Sequence, residues 1–219
     1  MLEYITGFFE DRQLLLSAVA AAIALISLFQ TQRQTTLSNK HSLFDKRINE
    51  YNFLSALLNT YRSFSLVMKS ANRDEAIMIS DIYLSYATNN PYLERISATV
   101  HAEHNTPEHK EYLHLLAQFN ERPTQFKFLF NGKEASLCKD FIYQYSEMIH
   151  ALCLYELLFR VIEKRAKQCG GDYKKSVENL PEVQYRKNFF NAFDNLSAIY
   201  IQIQNSNALE KIENQIKVY

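Results

Sequence analysis

A long apolar segment near the N-terminus dominates the hydrophobic pattern of this chain. No charged residue occurs between Arg12 and Arg33, and the stretch from Gln13 to Gln32 is apolar apart from its ends and two serines. At the helical rise of about 1.5 Å per residue, this stretch spans about 30 Å, which is the hydrocarbon thickness of a bilayer. The sequence therefore predicts a transmembrane helix at residues 13–32, after a short N-terminus at residues 1–12.

A cleaved signal peptide and a buried helix of a soluble protein are the two alternatives to a retained span. A signal peptide begins with basic residues, whereas residues 1–12 hold Glu3, Glu10 and Asp11 against Arg12 alone. A small-residue cleavage site does not follow the segment either. The length of the uncharged stretch favours a span over a buried helix.

The predicted span has two chemically different faces. At 100° per residue, large side chains such as Val19, Ile23 and Ile26 lie opposite a face of small ones. Small residues three and four positions apart let helices approach closely in lipid. Because the chain has no second apolar span, the small face predicts self-association, although such residues are common in spans that only anchor. The face consists of Ser17, Ala20, Ala21, Ala24 and Ser27.

Beyond the span, apolar residues recur every three or four positions, the period of amphipathic helices. A juxtamembrane helix is predicted at residues 33–70 and a helical domain at residues 71–219. In that domain the pattern predicts helices near 74–87, 91–104, 106–120, 172–205 and 208–218, and an irregular segment at 123–133. The buried stripe of the juxtamembrane helix is predicted to be Phe44, Ile48, Tyr51, Leu54, Leu58, Tyr61 and Met68.

The strongest stripe predicts a long helix that ends at Gly170 and Gly171. Its wide, aromatic-rich apolar face favours the central helix of a bundle over the narrow seam of an intermolecular coiled coil. The chain has 4 glycines and 4 prolines, and 47% of it is hydrophobic. This composition disfavours a β fold and excludes wholesale disorder. The predicted fold class is therefore all-α, with a transmembrane helix that continues into a cytosolic multi-helix bundle. The stripe is Cys138, Phe141, Tyr145, Met148, Leu152, Tyr155, Phe159, Ile162 and Ala166.

Charge predicts the orientation of the span. Its N-terminal flank is acidic and its C-terminal flank is basic, and the basic flank of a span stays in the cytoplasm. Three cysteines without paired spacing also suit a reducing cytosol. We therefore expect the N-terminus outside and the domain inside, with membrane lipid as a partner of the basic flank. The residues expected to contact lipid headgroups are Arg33, Lys40, Lys46 and Arg47.

Potential metal ligands concentrate between His101 and His114, where four histidines and three glutamates lie within fourteen residues. Zn²⁺ accepts such nitrogen and oxygen ligands. However, no HExxH spacing occurs, and a solvated turn between helices has the same composition. We therefore predict no metal or other cofactor. The weak candidate ligands are His101, His104, Glu108 and His109.

No catalytic motif or phosphate-binding glycine loop is recognisable. Cys153 follows His150 by one helical turn, but it lies between Leu152 and Leu154. A thiol in apolar surroundings is unreactive, so a core cysteine is the better interpretation. The sequence therefore predicts a non-enzymatic protein, with an enzyme at the His101–His114 turn as the alternative.

A basic region follows the long helix stripe, although the net charge of the chain is zero. The segment from Arg160 to Lys187 contains eight basic and four acidic residues. Such a patch could bind a small anionic ligand, or it could be a solvated helix end that faces acidic residues of this chain or of a partner. The charge balance is too neutral for a strong nucleic-acid signal. The candidate patch is Arg160, Lys164, Arg165, Lys167, Lys174 and Lys175.

The segment from Leu43 to Tyr51, LFDKRINEY, resembles a juxtamembrane pattern of small bacterial inner-membrane proteins with a helical cytosolic domain. The resemblance covers the span and about forty residues after it. Some of those proteins look like anti-phage effectors or accessory subunits, in which a cytosolic sensor drives a membrane segment to disturb the bilayer. The resemblance implies a bacterial inner-membrane protein of this kind, and the small-residue face predicts that it is a homo-oligomer. A membrane-anchored adaptor for a cytosolic partner is the alternative.

Overall fold

The computed structural model describes the backbone at residues 2–69, 71–73, 80–103 and 105–217, and the side chains of these residues except 2–15, 80, 81 and 174. Within this part of the chain there are eight α-helices and no β-strand. The all-α prediction is confirmed, with a long apolar N-terminal helix followed by a helical domain. The helices are α1 Leu2–Met68, α2 Ser80–Ala87, α3 Glu94–Thr99, α4 Pro107–Leu129, α5 Gly132–Gln168, α6 Tyr173–Val177, α7 Glu182–Ser206 and α8 Ala208–Lys217.

Two compact units divide the chain, Met1–Lys46 and Arg47–Val218. In the first unit, the described side chains from Leu16 onward are exposed, except for the half-buried Leu43. The second unit, called the helical domain below, contains residues 47–68 of α1 and all later helices. The helical domain therefore begins with residues 47–68, which belong to the juxtamembrane helix predicted at residues 33–70.

Helix α5 is the centre of the helical domain. It is 37 residues long and packs against α2, α4, α6, α7 and α8. Every residue of its predicted stripe is buried, and the most exposed of them is Phe159 at 6%. The Phe141 ring lies edge-on to Tyr61 of α1 at 6.0 Å and contacts Tyr145 at 5.9 Å. The stripe therefore faces the core of its own domain, as a central bundle helix requires.

The directions of α1 and α7 relative to α5 define two ends of the helical domain. Arg47 contacts Leu129 just before α5 begins, and Tyr61 contacts Phe141 further along, so α1 and α5 run in the same direction. Helix α7 runs the opposite way, because Glu182 at its start bonds to Tyr155. We call the end that contains Arg47 and Gly132 the proximal end, and the end at Gly170 and Gly171 the distal end. The length of α5 separates them by about 55 Å.

The predicted stop of α5 is confirmed at its two glycines. Cys169 caps the helix, and the Gly171 N–H donates to the Ala166 carbonyl at 2.8 Å. Gly170 and Gly171 have φ angles of 68° and 89°. This is the left-handed region that glycine enters without steric cost, and the bond from Gly171 to Ala166 belongs to the Schellman type of helix end.

The prediction of an irregular segment from Pro123 to Lys133 is wrong. Helix α4 continues through Pro123 to Leu129. Proline in a helix interior lacks an N–H for the helical bond and costs about 3 kcal/mol. Here Phe119, Pro123 and Phe126 are all buried on one face of α4, and this packing offsets the lost bond.

Other helix boundaries differ from the sequence pattern more modestly. The helix expected at 91–104 is only α3, and the helix expected at 172–205 is divided into α6 and α7 just before Pro181. The N-cap prediction at Thr106 is confirmed, because its hydroxyl oxygen accepts a hydrogen bond from the His109 N–H at 3.2 Å. In α1, Phe44 is exposed rather than buried. The predicted helix start at residue 74 lies outside the described residues.

Truncation of the α5 stripe should unfold the helical domain more easily than truncation elsewhere on the same helix. Leu152 is fully buried, whereas Leu157 is 40% exposed. We expect Leu152→Ala to lower the free energy of unfolding by about 2–5 kcal/mol, because it leaves a cavity. The matched variant Leu157→Ala should change it by less than about 1 kcal/mol. Denaturant unfolding followed by tyrosine fluorescence measures both, and equal losses would contradict the central position of the stripe.

Candidate functional site

The apolar segment of α1 is the most unusual surface of the described chain. Leu16, Ile23 and Phe29 are 70%, 59% and 69% exposed, and no residue of the most apolar window of the helix is buried. Among the described residues, α1 is the one helix that is long and apolar enough to cross a membrane. Soluble proteins rarely leave so large a continuous apolar surface in water.

The small-residue face predicted on this segment lies wholly on exposed helix. Ser17, Ala20, Ala21, Ala24 and Ser27 are all helical and exposed. Near the end of the segment the Thr31 hydroxyl donates to the Ser27 carbonyl at 2.8 Å, which satisfies the hydroxyl within its own helix. This internal hydrogen bond lowers the cost of placing the side chain in an apolar medium.

Three of the four basic residues proposed to contact headgroups, Arg33, Lys40 and Lys46, are exposed on α1. The prediction for Arg47 is wrong, because this side chain is only 7% exposed. Its Nε donates to the Leu129 carbonyl at 2.9 Å and its Nη1 to the Gln215 carbonyl at 3.2 Å. The guanidinium group also lies 5.9 Å from the centre of the Phe130 ring. Arg47 is therefore an internal residue of the helical domain.

The weak metal candidates do not form a metal centre within the described part of the chain. No group of three His, Cys, Asp or Glu side chains lies close enough there to hold an ion, and His104 lies outside the described residues. His101 instead pairs with Glu156 of α5, with 3.3 Å between Nε2 and Oε1. Glu108 and His109 lie in the first turn of α4. His101 is thus directed to the core helix.

The cysteines confirm the interpretation of Cys153 as a core residue. Cys138 and Cys153 are fully buried, and burial raises the pKa of each thiol to about 12. The Cys153 thiol also forms a hydrogen bond with the Tyr112 side chain. His150, the residue one turn before Cys153, is exposed. Cys169 at the distal end is exposed as well.

The basic patch lies at the distal end of the helical domain. Lys164, Arg165 and Lys167 are exposed on the last turns of α5. Arg160 donates to the buried Glu156 at 3.3 Å, and Lys175 pairs with Asp172 at 3.7 Å. The side chain of Lys174 lies outside the described residues. Five of the candidate residues are thus exposed, and three of them, Lys164, Arg165 and Lys167, lie near the α5 terminus, about 50 Å along α5 from the proximal end.

A buried network of charged and polar side chains was missed by the sequence analysis. Glu182 is 3% exposed, accepts a hydrogen bond from the Tyr155 hydroxyl at 2.7 Å and pairs with Arg186 at 3.1 Å. Glu156, which pairs with His101 and Arg160, is 1% exposed. The sequence feature that could have revealed this network is the position of Glu156, an acidic residue next to Tyr155 within the apolar face of α5. The hydrogen bond from Tyr155 to Glu182 connects α5 to α7, and each buried carboxylate has a basic partner, Arg186 for Glu182 and both His101 and Arg160 for Glu156.

A polar groove runs between α5 and α7 on the outside of the domain. It has a volume of 540 Å³. Tyr143, Glu147 and His150 line it from α5, and Asn188 and Asn191 from α7, together with Gln144, Ala151, Leu154, Tyr185, Ala192 and Asn195. Its amide and hydroxyl groups offer hydrogen bonds, but it contains no nucleophile activated by a neighbouring base.

Comparisons with known proteins add no relative: no family model, no curated protein and no solved structure matches the chain.

Native protein should react with thiol reagents at Cys169 alone. With a pKa of about 12, roughly one Cys138 or Cys153 thiol in ten thousand is ionised at pH 8, and both are buried. We expect iodoacetamide to add one label to the native chain and three after unfolding, as measured by intact mass. Cys169→Ser should abolish native labelling, and native labelling of Cys153 would contradict the assignment of a core thiol.

Proposed function

We propose that this chain is a single-pass bacterial inner-membrane protein that self-associates and couples a cytosolic helical domain to the bilayer. The exposed apolar segment of α1 is the observation that carries the proposal. Its nine large apolar residues favour insertion by roughly −3 to −5 kcal/mol in total, at about −0.3 to −0.6 kcal/mol each. These residues are Leu14, Leu15, Leu16, Val19, Ile23, Leu25, Ile26, Leu28 and Phe29.

The proposed orientation has the N-terminus outside and the helical domain in the cytoplasm. Exposed Arg33, Lys40 and Lys46 follow the segment and favour retention of this flank on the cytoplasmic side. Their ammonium and guanidinium groups are available to anionic lipid headgroups. Arg47 does not take part in this contact, because its guanidinium group donates hydrogen bonds to carbonyl groups of the helical domain.

Self-association is proposed through the small-residue face of the segment. Ala20, Ala21 and Ala24 lie on one side of α1, and their short side chains permit close contact between two copies in lipid. A single span has no other span of its own chain to cover this face. The contact would place the helical domains of two copies on the same side of the membrane.

The proposed role is that of an anti-phage effector in which a trigger received by the helical domain changes the packing of the spans and disturbs membrane integrity. The resemblance of residues 43–51 to juxtamembrane segments of such proteins supports this role. This segment includes the boundary between the two units, Lys46 and Arg47. No catalytic step is included, because the one thiol next to a histidine, Cys153, is buried and has a raised pKa.

Substitution of the small face should weaken both self-association and the effect on the membrane. We expect Ala20→Leu with Ala24→Leu to reduce crosslinked dimer in isolated membranes, because larger side chains prevent close contact of the spans. The matched control, Val19→Leu with Ile26→Leu on the opposite face, should crosslink like the unmodified chain. A potential-sensitive dye measures depolarisation after induced expression, which the control variant should retain and the Ala20/Ala24 variant should lose.

Two results would overturn this proposal: a chain that crosslinks only as monomer, or induced expression that leaves the membrane potential unchanged.

An anchored adaptor for a cytosolic partner is the second candidate function, and the α5–α7 groove supports it. Asn188, Asn191 and Tyr185 give that groove the polar lining of a recognition surface. Purification of the detergent-solubilised chain distinguishes the two, because an adaptor retains a partner in a fixed molar ratio.

A further inference from the structure

The corner between α4 and α5 lies at the proximal end and is held firmly on both sides. Phe126 and Phe130 are buried and their ring centres are 4.6 Å apart. Arg47 donates to the Leu129 carbonyl. On the other side, the Gln215 amide donates to the Asn131 carbonyl at 2.8 Å and accepts from the Asn131 N–H at 3.0 Å. The position of the corner is therefore set by buried rings and long-range hydrogen bonds.

Phe128 projects into solvent from this fixed corner. It is 83% exposed, the highest value among the large hydrophobic side chains in the described part of the chain. Phe126 and Phe128 lie two positions apart in α4 and therefore differ by about 200° in direction, so the burial of Phe126 directs Phe128 outward. Single exposed hydrophobic residues are common, so the charged residues near this ring decide its interpretation.

Lys127 directly precedes Phe128 in the sequence and Lys133 follows it by five residues, and both side chains are exposed. Neither ammonium group makes an ion pair with a residue that the structure describes. Glu134, the acid next to Lys133, is paired with Lys211, with 2.7 Å between Nζ and Oε1, and the pKa of its carboxyl is lowered mainly by that hydrogen bond and to a smaller extent by the charge of Lys133. The corner thus presents an exposed aromatic side chain with two exposed lysines near it in sequence, which is the chemistry that binds an anionic membrane surface.

We propose that the corner formed by Lys127, Phe128 and Lys133 docks on the anionic surface of the same bilayer that holds the span. The inference rests on the membrane anchoring proposed above. Fifteen residues of sequence separate Gln32, at the end of the proposed span, from Arg47, which donates to the Leu129 carbonyl at the corner. Phe128 enters the interfacial layer, and the two lysines contact lipid phosphates.

A membrane surface suits this corner better than a protein partner does. Apolar anchors of protein interfaces are usually surrounded by a wider rim of packed residues. Here the exposed apolar group is one ring, and the charges beside it are both positive. The distal patch of Lys164, Arg165 and Lys167 lies at the other end of the domain, about 50 Å along α5 from the corner, and has no exposed aromatic ring of this kind between its lysines in the sequence. It provides a matched basic control.

A tryptophan at position 128 tests the inference directly, because the chain contains no tryptophan. We would reconstitute full-length Phe128→Trp into vesicles of phosphatidylcholine and phosphatidylglycerol with brominated acyl chains, which quench tryptophan on contact. We expect loss of fluorescence and an emission shift to shorter wavelength. Val161→Trp replaces another exposed apolar residue, on α5 near the distal end, and should show neither effect. Circular dichroism verifies that both variants keep their helix content.

The contribution of charge is tested in the Phe128→Trp background. Lys127→Glu with Lys133→Glu should reduce the quenching, whereas Lys164→Glu with Lys167→Glu at the distal patch should not. Vesicles of phosphatidylcholine alone should also give less quenching. If the extent of quenching is the same with and without the lysine substitutions, and the same in both kinds of vesicle, the proposed headgroup contact is overturned.

Flotation of the same vesicles separates this inference from the anchoring on which it rests. If both variants float and Phe128→Trp is quenched more than Val161→Trp, both proposals are supported. If both variants float and Phe128→Trp is quenched no more than Val161→Trp, the docking of the corner is overturned and the anchor stands. A chain that does not float with the vesicles overturns both.

Discussion

Removal of apolar surface from water is the constraint on which the account of this molecule depends. Leu16, Ile23 and Phe29 are largely exposed on α1, although burial of such a side chain is worth about 1.5–3 kcal/mol. A bilayer provides that burial without a folded partner. It also requires every backbone polar group to be bonded within the segment, and an uninterrupted helix meets this requirement. The absence of charge between Arg12 and Arg33 is consistent with the same environment.

The helical domain meets the same constraint in a different way. Its apolar residues are covered by its own helices, with α5 at the centre, and aromatic rings such as Phe141 and Tyr145 fill the space between helices. Charged groups enter this interior only with partners. Arg47 is the clearest case, because carbonyl oxygens from α4 and α8 accept hydrogen bonds from its guanidinium group, for which the charge pattern predicted a contact with lipid headgroups. Arg47 is therefore an internal residue at the start of the helical domain.

The sequence predicted those parts of the fold that depend on local spacing. The three- and four-residue intervals of the α5 stripe identified its buried residues, and Thr106, Gly170 and Gly171 marked helix ends because their chemistry suits caps. Residues whose environment depends on distant contacts were not predicted. Arg47 was predicted to contact headgroups because it follows the span closely in sequence. The carbonyl groups that accept its hydrogen bonds belong to Leu129 and Gln215, which are far along the chain, so the local sequence does not reveal them. The exposure of Phe128 was not predicted, because Pro123 suggested an irregular segment where α4 continues to Leu129. His101 suggested a metal ligand, whereas the structure pairs it with Glu156 of α5.

Insertion of the apolar segment into a membrane is the central claim, and alkaline carbonate extraction of membranes from cells that express the full chain tests it most directly. The account predicts that the chain stays in the membrane pellet. A variant with Ile23→Asp and Ile26→Asp should be released into the supernatant, because each carboxylate costs about 2.5–3.5 kcal/mol at the centre of a span. Release of the unmodified chain by carbonate would contradict the account, since it would show that the exposed face of α1 is covered by something other than lipid.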